Sequence, residues 1–203
     1  MDICGKPMLA HVAERAKAAI PDVYLVTPPD DTEIIEWAAR NAIPVSLDRR
    51  SRDVLDSYYH CAETYGLTDI VRITADNPLI DPETIKQVVR FYQDGQYDYA
   101  SNCRVYLGFP VGNDVEVFSF KSLEPAWHRT QNRYDREHVT PYIYHHHDIF
   151  KLGLLKHDPS LSHLRWTVDT LEDLENVRGI YSRCYHGQIF GMREILETVY
   201  AHS

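Results

Sequence analysis

Two aspartates stand where chemistry is easiest to build in this 203-residue sequence. Asp76 ends the run Val71-Arg72-Ile73-Thr74-Ala75-Asp76, and Asp169 ends Arg165-Trp166-Thr167-Val168-Asp169. Each follows a stretch rich in β-branched residues, so each is expected just past the carboxyl end of a strand. In an open α/β sheet that rim is where ligands bind. A carboxylate there is placed to hold a metal or a sugar hydroxyl, and two converging from separate strands suit one hard cation. Mg²⁺ takes one or two carboxylates together with waters and phosphate oxygens. With no cation between them, two facing carboxylates repel and one takes up a proton. Both residues also have a plain structural reading. Asp76 fits an Asx turn ahead of Pro78, and Asp169 fits an acid at a helix N-terminus, facing the positive end of the dipole.

The elements that must position this pair are legible around them. Residues 69–74 read as a mostly buried strand, broken at Asn77-Pro78. Asp81 then caps a helix with Pro82 at its first position, and Ile85, Val88, Val89 and Tyr92 make its apolar face. Upstream, 1–7 leads into a helix carrying Leu9, Val12, Ala16, Ala19 and Ile20. Strands are expected at 23–27 and 43–45. Helices follow from Asp31 or Thr32 and from Asp53 to Tyr65, the second stopped by Gly66. This alternation predicts an α/β fold, a Rossmann-like doubly wound, mostly parallel sheet. Downstream, strands are expected at 97–102, 114–118, 149–155 and 163–168, and helices at 121–129 and 136–144. The last helices are expected from a capping-box start at Thr170-Leu171-Glu172-Asp173 and around Ile195 to Val199.

Composition narrows the function. Net charge is −9 with histidines neutral, and no block of Lys and Arg stands out, which argues against nucleic-acid binding. The four cysteines (Cys4, Cys61, Cys103 and Cys184) lie far apart without a C-x-x-C pair, the pattern of reduced thiols in a cytoplasmic protein. No stretch approaches the ~20 apolar residues of a membrane span. The triplet His145-His146-His147 is a poor metal site, because adjacent helical residues point in different directions.

Several blocks in order resemble one family: Gly5-Lys6-Pro7-Met8-Leu9, residues 71–82, Asp114-Val115-Glu116-Val117-Phe118, residues 136–144 and residues 164–169. Together they are similar to the cytidylyltransferases that make CMP-activated acidic sugars, the acylneuraminate and CMP-KDO synthetases. They are most similar to the spore-coat polysaccharide F-type proteins. The resemblance implies a single nucleotidyltransferase-like domain over 1–203, with 97–150 an insertion that adds to the sugar pocket and to a homodimer contact. It also implies a sugar hydroxyl attacking the α-phosphate of CTP, with pyrophosphate leaving. Carried over by position, Asp76 and Asp169 become the Mg²⁺ ligands. Arg165 supports Asp169 or meets a carboxylate or phosphate. Asn102, Asp114, Glu116, Arg136, Glu137 and His138 line the substrate pocket, and Lys6 approaches phosphate. Arg72 falls on a buried strand and fits a structural ion pair equally well.

Two departures from the family pattern matter. Ala75 stands where the family has glycine, which restricts backbone approach to a phosphate. Family members also carry a strand and a basic, Gly-containing loop ahead of the segment matched by 1–7. If that strand were missing, its neighbours in the sheet would keep unpaired backbone groups. Two other readings therefore stay open: a non-catalytic sugar-binding or assembly module, and a nucleotide-sugar glycosyltransferase on a related fold.

Overall fold

A computed structural model describes residues 1–48 and 53–200. The chain opens with a small antiparallel hairpin, β1 (Asp2–Ile3) and β2 (Lys6–Pro7), turned by Cys4 and Gly5, both at positive φ. That conformation matches the primed two-residue turn, so 1–7 does not run straight into the helix as expected. Then follow α1 (Met8–Ala19), β3 (Leu25–Thr27), α2 (Thr32–Arg40), β4 (Val45–Leu47), α3 (Val54–Tyr65), β5 (Asp69–Arg72) and α4 (Pro82–Gly95). The second half comprises β6 (Tyr99–Ser101), a 3₁₀ turn at Val105–Leu107, β7 (Glu116–Ser119), α5 (Phe120–Arg129), α6 (Arg133–His138), α7 (Pro141–His145), β8 (Leu152–Leu154), α8 (Leu171–Cys184) and α9 (Met192–Tyr200).

The helix starts are written locally. Asp31, Asp53 and Asp81 each accept a backbone N–H from the first turn of α2, α3 and α4. Thr170 and Asp173 form a reciprocal capping box at the head of α8. Gly66 ends α3 in the left-handed conformation, φ 64°.

The strands form an α/β fold with a mixed sheet. In the four-stranded sheet the order is β5-β7-β6-β8; β7 runs antiparallel to both neighbours, and β6 and β8 are parallel. Three of its strands therefore share one direction and β7 alone is reversed. β3 and β4 pair in parallel as a separate two-stranded sheet. Alternation along the larger sheet divides the core. Ile70, Phe118 and Tyr99 face a cluster with Leu55, Tyr59, Leu123 and Ile143 from α3, α5 and α7. Val117 and Ala100 face the opposite cluster with Val12 of α1 and Ile85 and Val88 of α4. A third cluster gathers Ile3, Leu79, Trp166, Val168 and the inner faces of α8 and α9.

Two buried polar groups hold these layers together. His11 shares a 2.8 Å hydrogen bond with the Ile3 carbonyl. Arg15, only 2% exposed, donates to the Phe190 carbonyl at 2.7 Å and to the Tyr181 hydroxyl at 3.2 Å. Its guanidinium lies over the Phe190 ring, 4.4 Å from the centroid.

Several expected elements differ. The strand expected at 43–45 forms two residues later, because Pro44 has no N–H to give a ladder and only its carbonyl serves, accepting from Leu25. Strand β5 is less buried than its apolar sequence suggests: Ile70 is buried, but Val71 and Ile73 are partly exposed. The helix expected over 136–144 is two short helices, split at Val139, whose φ is 72°. Residues 163–168 do not make a strand. They run extended between two loops, with a single bridge pairing Val111 and Arg165 in parallel.

Candidate active site

Three loops meet beside the carboxyl end of β5, and each brings one aspartate. Asp76 sits in the β5–α4 loop, Asp114 in the loop entering β7, and Asp169 just ahead of α8. Backbone hydrogen bonds join the first and third loops: the Val168 N–H donates to the Asp76 carbonyl at 2.8 Å, and the Thr167 hydroxyl donates to the same oxygen at 3.3 Å. The second loop bonds the earlier part of the same 164–168 segment. There the Val111 N–H donates to Leu164 at 2.9 Å and the Trp166 N–H to Val111 at 2.7 Å. Gly112 makes this approach feasible. At φ 94° it lies so close to the Thr167 backbone that any side chain would collide with it.

Asp114 is held from both sides by Asn102. The Asn102 side chain donates to the Asn113 carbonyl at 2.8 Å and accepts from the Val115 N–H at 2.7 Å. Asn113 in turn accepts from the Asp81 N–H at 2.9 Å and donates to Thr84 at 3.0 Å, which fastens the loop to the start of α4. Burial raises the Asp114 pKa; the Gly112 N–H works against that, and the charges of Glu116 and Asp76 add to it.

Each carboxylate has one oxygen tied to the protein. Asp76 Oδ1 accepts from the Thr74 hydroxyl, which itself accepts from the Asn77 side-chain amide at 3.0 Å. Asp114 Oδ2 accepts from the Gly112 N–H at 2.9 Å, and Asp169 Oδ2 accepts from Arg165. The other oxygen of each takes no hydrogen bond from the described residues. Arg165 also reaches Asp173 at 2.8 Å, and this hydrogen bond, assisted by Thr170, holds the Asp173 carboxyl far below the usual range. Among the described residues, no three acidic, histidine or cysteine side chains close into a metal cage by themselves. The donor set nonetheless fits Mg²⁺, which prefers a few hard oxygens and completes its shell with water and phosphate.

The other expected site residues are distributed differently. Glu116 is buried in a network, taking Arg72 at 2.6 Å, Tyr99 at 2.7 Å and Thr140 at 2.6 Å. Arg72 therefore forms the structural ion pair, with Nε left unpartnered. Arg136 turns inward to grip Asp53 with two hydrogen bonds of 2.8 and 2.7 Å and to donate to the Trp127 carbonyl. It lines a small cavity of about 380 Å³ with Trp127, His128 and Gln131. Glu137 and His138 face solvent, and His138 packs on the Tyr134 ring at 4.3 Å. Lys6 is engaged by Glu14 at 2.8 Å. Thr74, Asn77, Asn113 and Asp173 were not singled out for these positions, although Thr74 two residues before Asp76 is a readable side-chain turn signal.

The chain is similar to known proteins along most of its length. A sequence model of the family described as Cytidylyltransferase matches residues 1–200. The chain is 36% identical over 179 residues to an uncharacterized protein of Methanocaldococcus jannaschii, covering 86% of this chain and 71% of that one. It is 28% identical to the spore coat polysaccharide biosynthesis protein SpsF of Bacillus subtilis, over 64% of this chain and 54% of that one. It is 32% identical to an 8-amino-3,8-dideoxy-manno-octulosonate cytidylyltransferase of Shewanella baltica, over 57% of this chain and 47% of that one. The match thus spans about half the length of these last two relatives. The solved structure of a cytidylyltransferase from Leptospira borgpetersenii superposes with a TM-score of 0.91 at 26% identity, covering 100% of this chain and 86% of that one. No helix of the described residues is long and apolar enough to cross a membrane.

Proposed function

The chain belongs to the cytidylyltransferase family, and from that premise we propose that it activates an acidic or amino sugar to its CMP derivative for surface-polysaccharide synthesis in the cytoplasm. The sugar hydroxyl oxygen attacks the α-phosphorus of CTP in line. One P–O bond forms as the bridging α–β bond breaks, and pyrophosphate carries away the electron pair. The observation that carries this reading is the trio Asp76, Asp114 and Asp169, each with one oxygen anchored and one unengaged.

Asp76 and Asp169 would hold Mg²⁺, which when bound supplies charge neutralisation on the phosphate oxygens. Thr74 fixes the rotamer of Asp76, and Arg165, braced by Asp173, fixes that of Asp169. Asn102 holds Asp114 in place to accept a sugar hydroxyl. Glu116 supports this floor from beneath through Arg72 rather than by touching substrate. The name of the Shewanella relative, an 8-amino-3,8-dideoxy-manno-octulosonate cytidylyltransferase, supports the acidic or amino character of the sugar. Exposed Tyr106 and Tyr134 are where a homodimer contact would form.

The test is pyrophosphate release on adding CTP, Mg²⁺ and a panel of nonulosonic acids. Turnover that needs all three supports the proposal. Consumption of a preformed CMP-sugar without use of free CTP would replace it with a glycosyltransferase. Calorimetry showing sugar binding but no Mg²⁺–CTP binding would replace it with a sugar-binding module.

A further inference from the structure

Arg72, Arg136 and Arg165 each already hold a carboxylate of the chain itself. Their partners are Glu116, Asp53, and the pair Asp169 and Asp173. Arg104 is different. Among the described residues its guanidinium meets no carboxylate and no carbonyl oxygen. Its contact is the ring of Tyr144 on α7, with Cζ 4.6 Å from the ring centroid.

Two routes place Arg104 beside the Asp114 loop. Along the chain it lies two residues beyond Asn102, whose side chain brackets Asp114 through the Asn113 carbonyl and the Val115 N–H. The Arg104 N–H donates back to the Asn102 carbonyl at 3.0 Å, a tight turn that keeps the two residues close. Across space, the Tyr144 ring lies 6.0 Å from that of Tyr99, whose hydroxyl donates to Glu116 at 2.7 Å. The Tyr144 N–H donates to the Thr140 carbonyl at 3.2 Å, and the Thr140 hydroxyl reaches the same Glu116 oxygen at 2.6 Å. Glu116 stands two residues after Asp114, so the ring under Arg104 and the Asp114 loop are fixed to one buried carboxylate.

A cation held over an aromatic face is positioned through its charge, which leaves the N–H groups at its edge unused. A guanidinium carries five such donors in a planar fork that meets a carboxylate in two parallel hydrogen bonds. We propose that Arg104 receives the carboxylate of the sugar while Asp114 takes a hydroxyl of the same molecule. The substrate is then an acid, not an amino sugar without a carboxylate. This rests on the reading of the site as a sugar-activating one and narrows it. The phosphates of CTP are the rival anion. In that reading they gather beside Asp76 and Asp169, whereas Asn102 ties Arg104 to the Asp114 loop.

Arg104 is exposed, so Arg104→Gln should fold as the unmodified protein does, which circular dichroism checks. Initial rates are then read with a nonulosonic acid and with the same sugar as its carboxamide. Arg104→Gln should raise KM for the acid about 10- to 100-fold and leave kcat and the KM for CTP within about twofold. Arg104→Lys keeps the charge but loses the fork, and should fall between. The unmodified protein should favour acid over carboxamide by the same factor, and Arg104→Gln should not distinguish them. An undiminished preference for the acid in Arg104→Gln would overturn the proposal. So would a raised KM for CTP with the sugar's unchanged, which assigns Arg104 to phosphate. Equal turnover of acids and of sugars without a carboxylate by the unmodified protein would overturn it too, and leave the cytidylyltransferase reading standing. Absence of pyrophosphate release with any sugar removes that reading, and this inference with it.

Discussion

The backbone N–H of Val168 lies 2.8 Å from the carbonyl oxygen of Asp76, to which it donates. That bond ties the loop after β5 to the segment before α8 and leaves Asp169 one residue beyond the junction. The proximity of the two acids is therefore built into main-chain contacts and does not depend on long side chains reaching across a cleft. Asp76→Asn and Asp169→Asn should each fold normally and lower the rate of CTP-dependent pyrophosphate release by about 100-fold or more. Thr74→Val, which removes only the hydroxyl that orients Asp76, should lower it about tenfold. Circular dichroism and initial rates at saturating Mg²⁺ check the set. Full activity in Asp76→Asn would remove that residue from the reaction.

Glu116 is expected to matter for stability before it matters for substrate. Its carboxylate is buried beneath Arg72, Tyr99 and Thr140, and Glu116→Gln leaves the Arg72 guanidinium enclosed without a counter-charge. The loss should be about 3 kcal/mol in urea unfolding. A variant of native stability that has lost only sugar affinity would return Glu116 to the substrate pocket.

Arg136 serves α3 as much as α6. Its fork meets both oxygens of Asp53, the residue that caps α3, and its third bond reaches the Trp127 carbonyl. Lysine cannot reproduce that geometry, so Arg136→Lys should destabilise the fold by about 1–2 kcal/mol. The urea midpoint measures it, and an unchanged midpoint would mean the fork contributes nothing in solution.

Acid should weaken the contact between α1 and the opening hairpin. Burial lowers the His11 pKa below its usual 6.5, against the raising effect of the Ile3 carbonyl. The unfolded chain therefore binds a proton that the folded chain refuses. This stability is fully present above pH 6.5 and is lost as pH falls through the lower, folded-state value. His11→Gln should flatten the pH dependence of the melting midpoint in that interval; equal slopes in both proteins would exclude His11 as its source.

What was legible in the sequence was whatever is decided within a few residues. Asp53, Asp81 and Gly66 mark the ends of α3 and α4 by chemistry that operates inside one turn. The position of Asp76 in the loop after β5 follows from a β-branched run and a proline, whereas the strand expected ahead of Asp169 is an extended segment that bonds to loops. Long-range register was not legible. The pairing of Arg72 with Glu116 depends on β7 lying antiparallel beside β5, and the Arg136–Asp53 fork depends on how α6 docks on α3. Neither leaves a local trace, so Glu116 and Arg136 both fall among the expected substrate residues. The half-exposure of Val71 was hidden for the same reason, since a strand's sequence does not say which neighbours it has.

Buried Arg15 has a consequence for where this polypeptide can be cut. Its positive charge is satisfied by the main-chain oxygen and ring of Phe190 and by Tyr181 on α8, with no carboxylate among the described residues to replace them. Clipping the backbone shortly before Phe190 would strand that charge in an oily interior and loosen the opening helix from far downstream. The stretch leading into α9 is thus a keystone of the amino-terminal half, and a protease nick there should unravel both ends together.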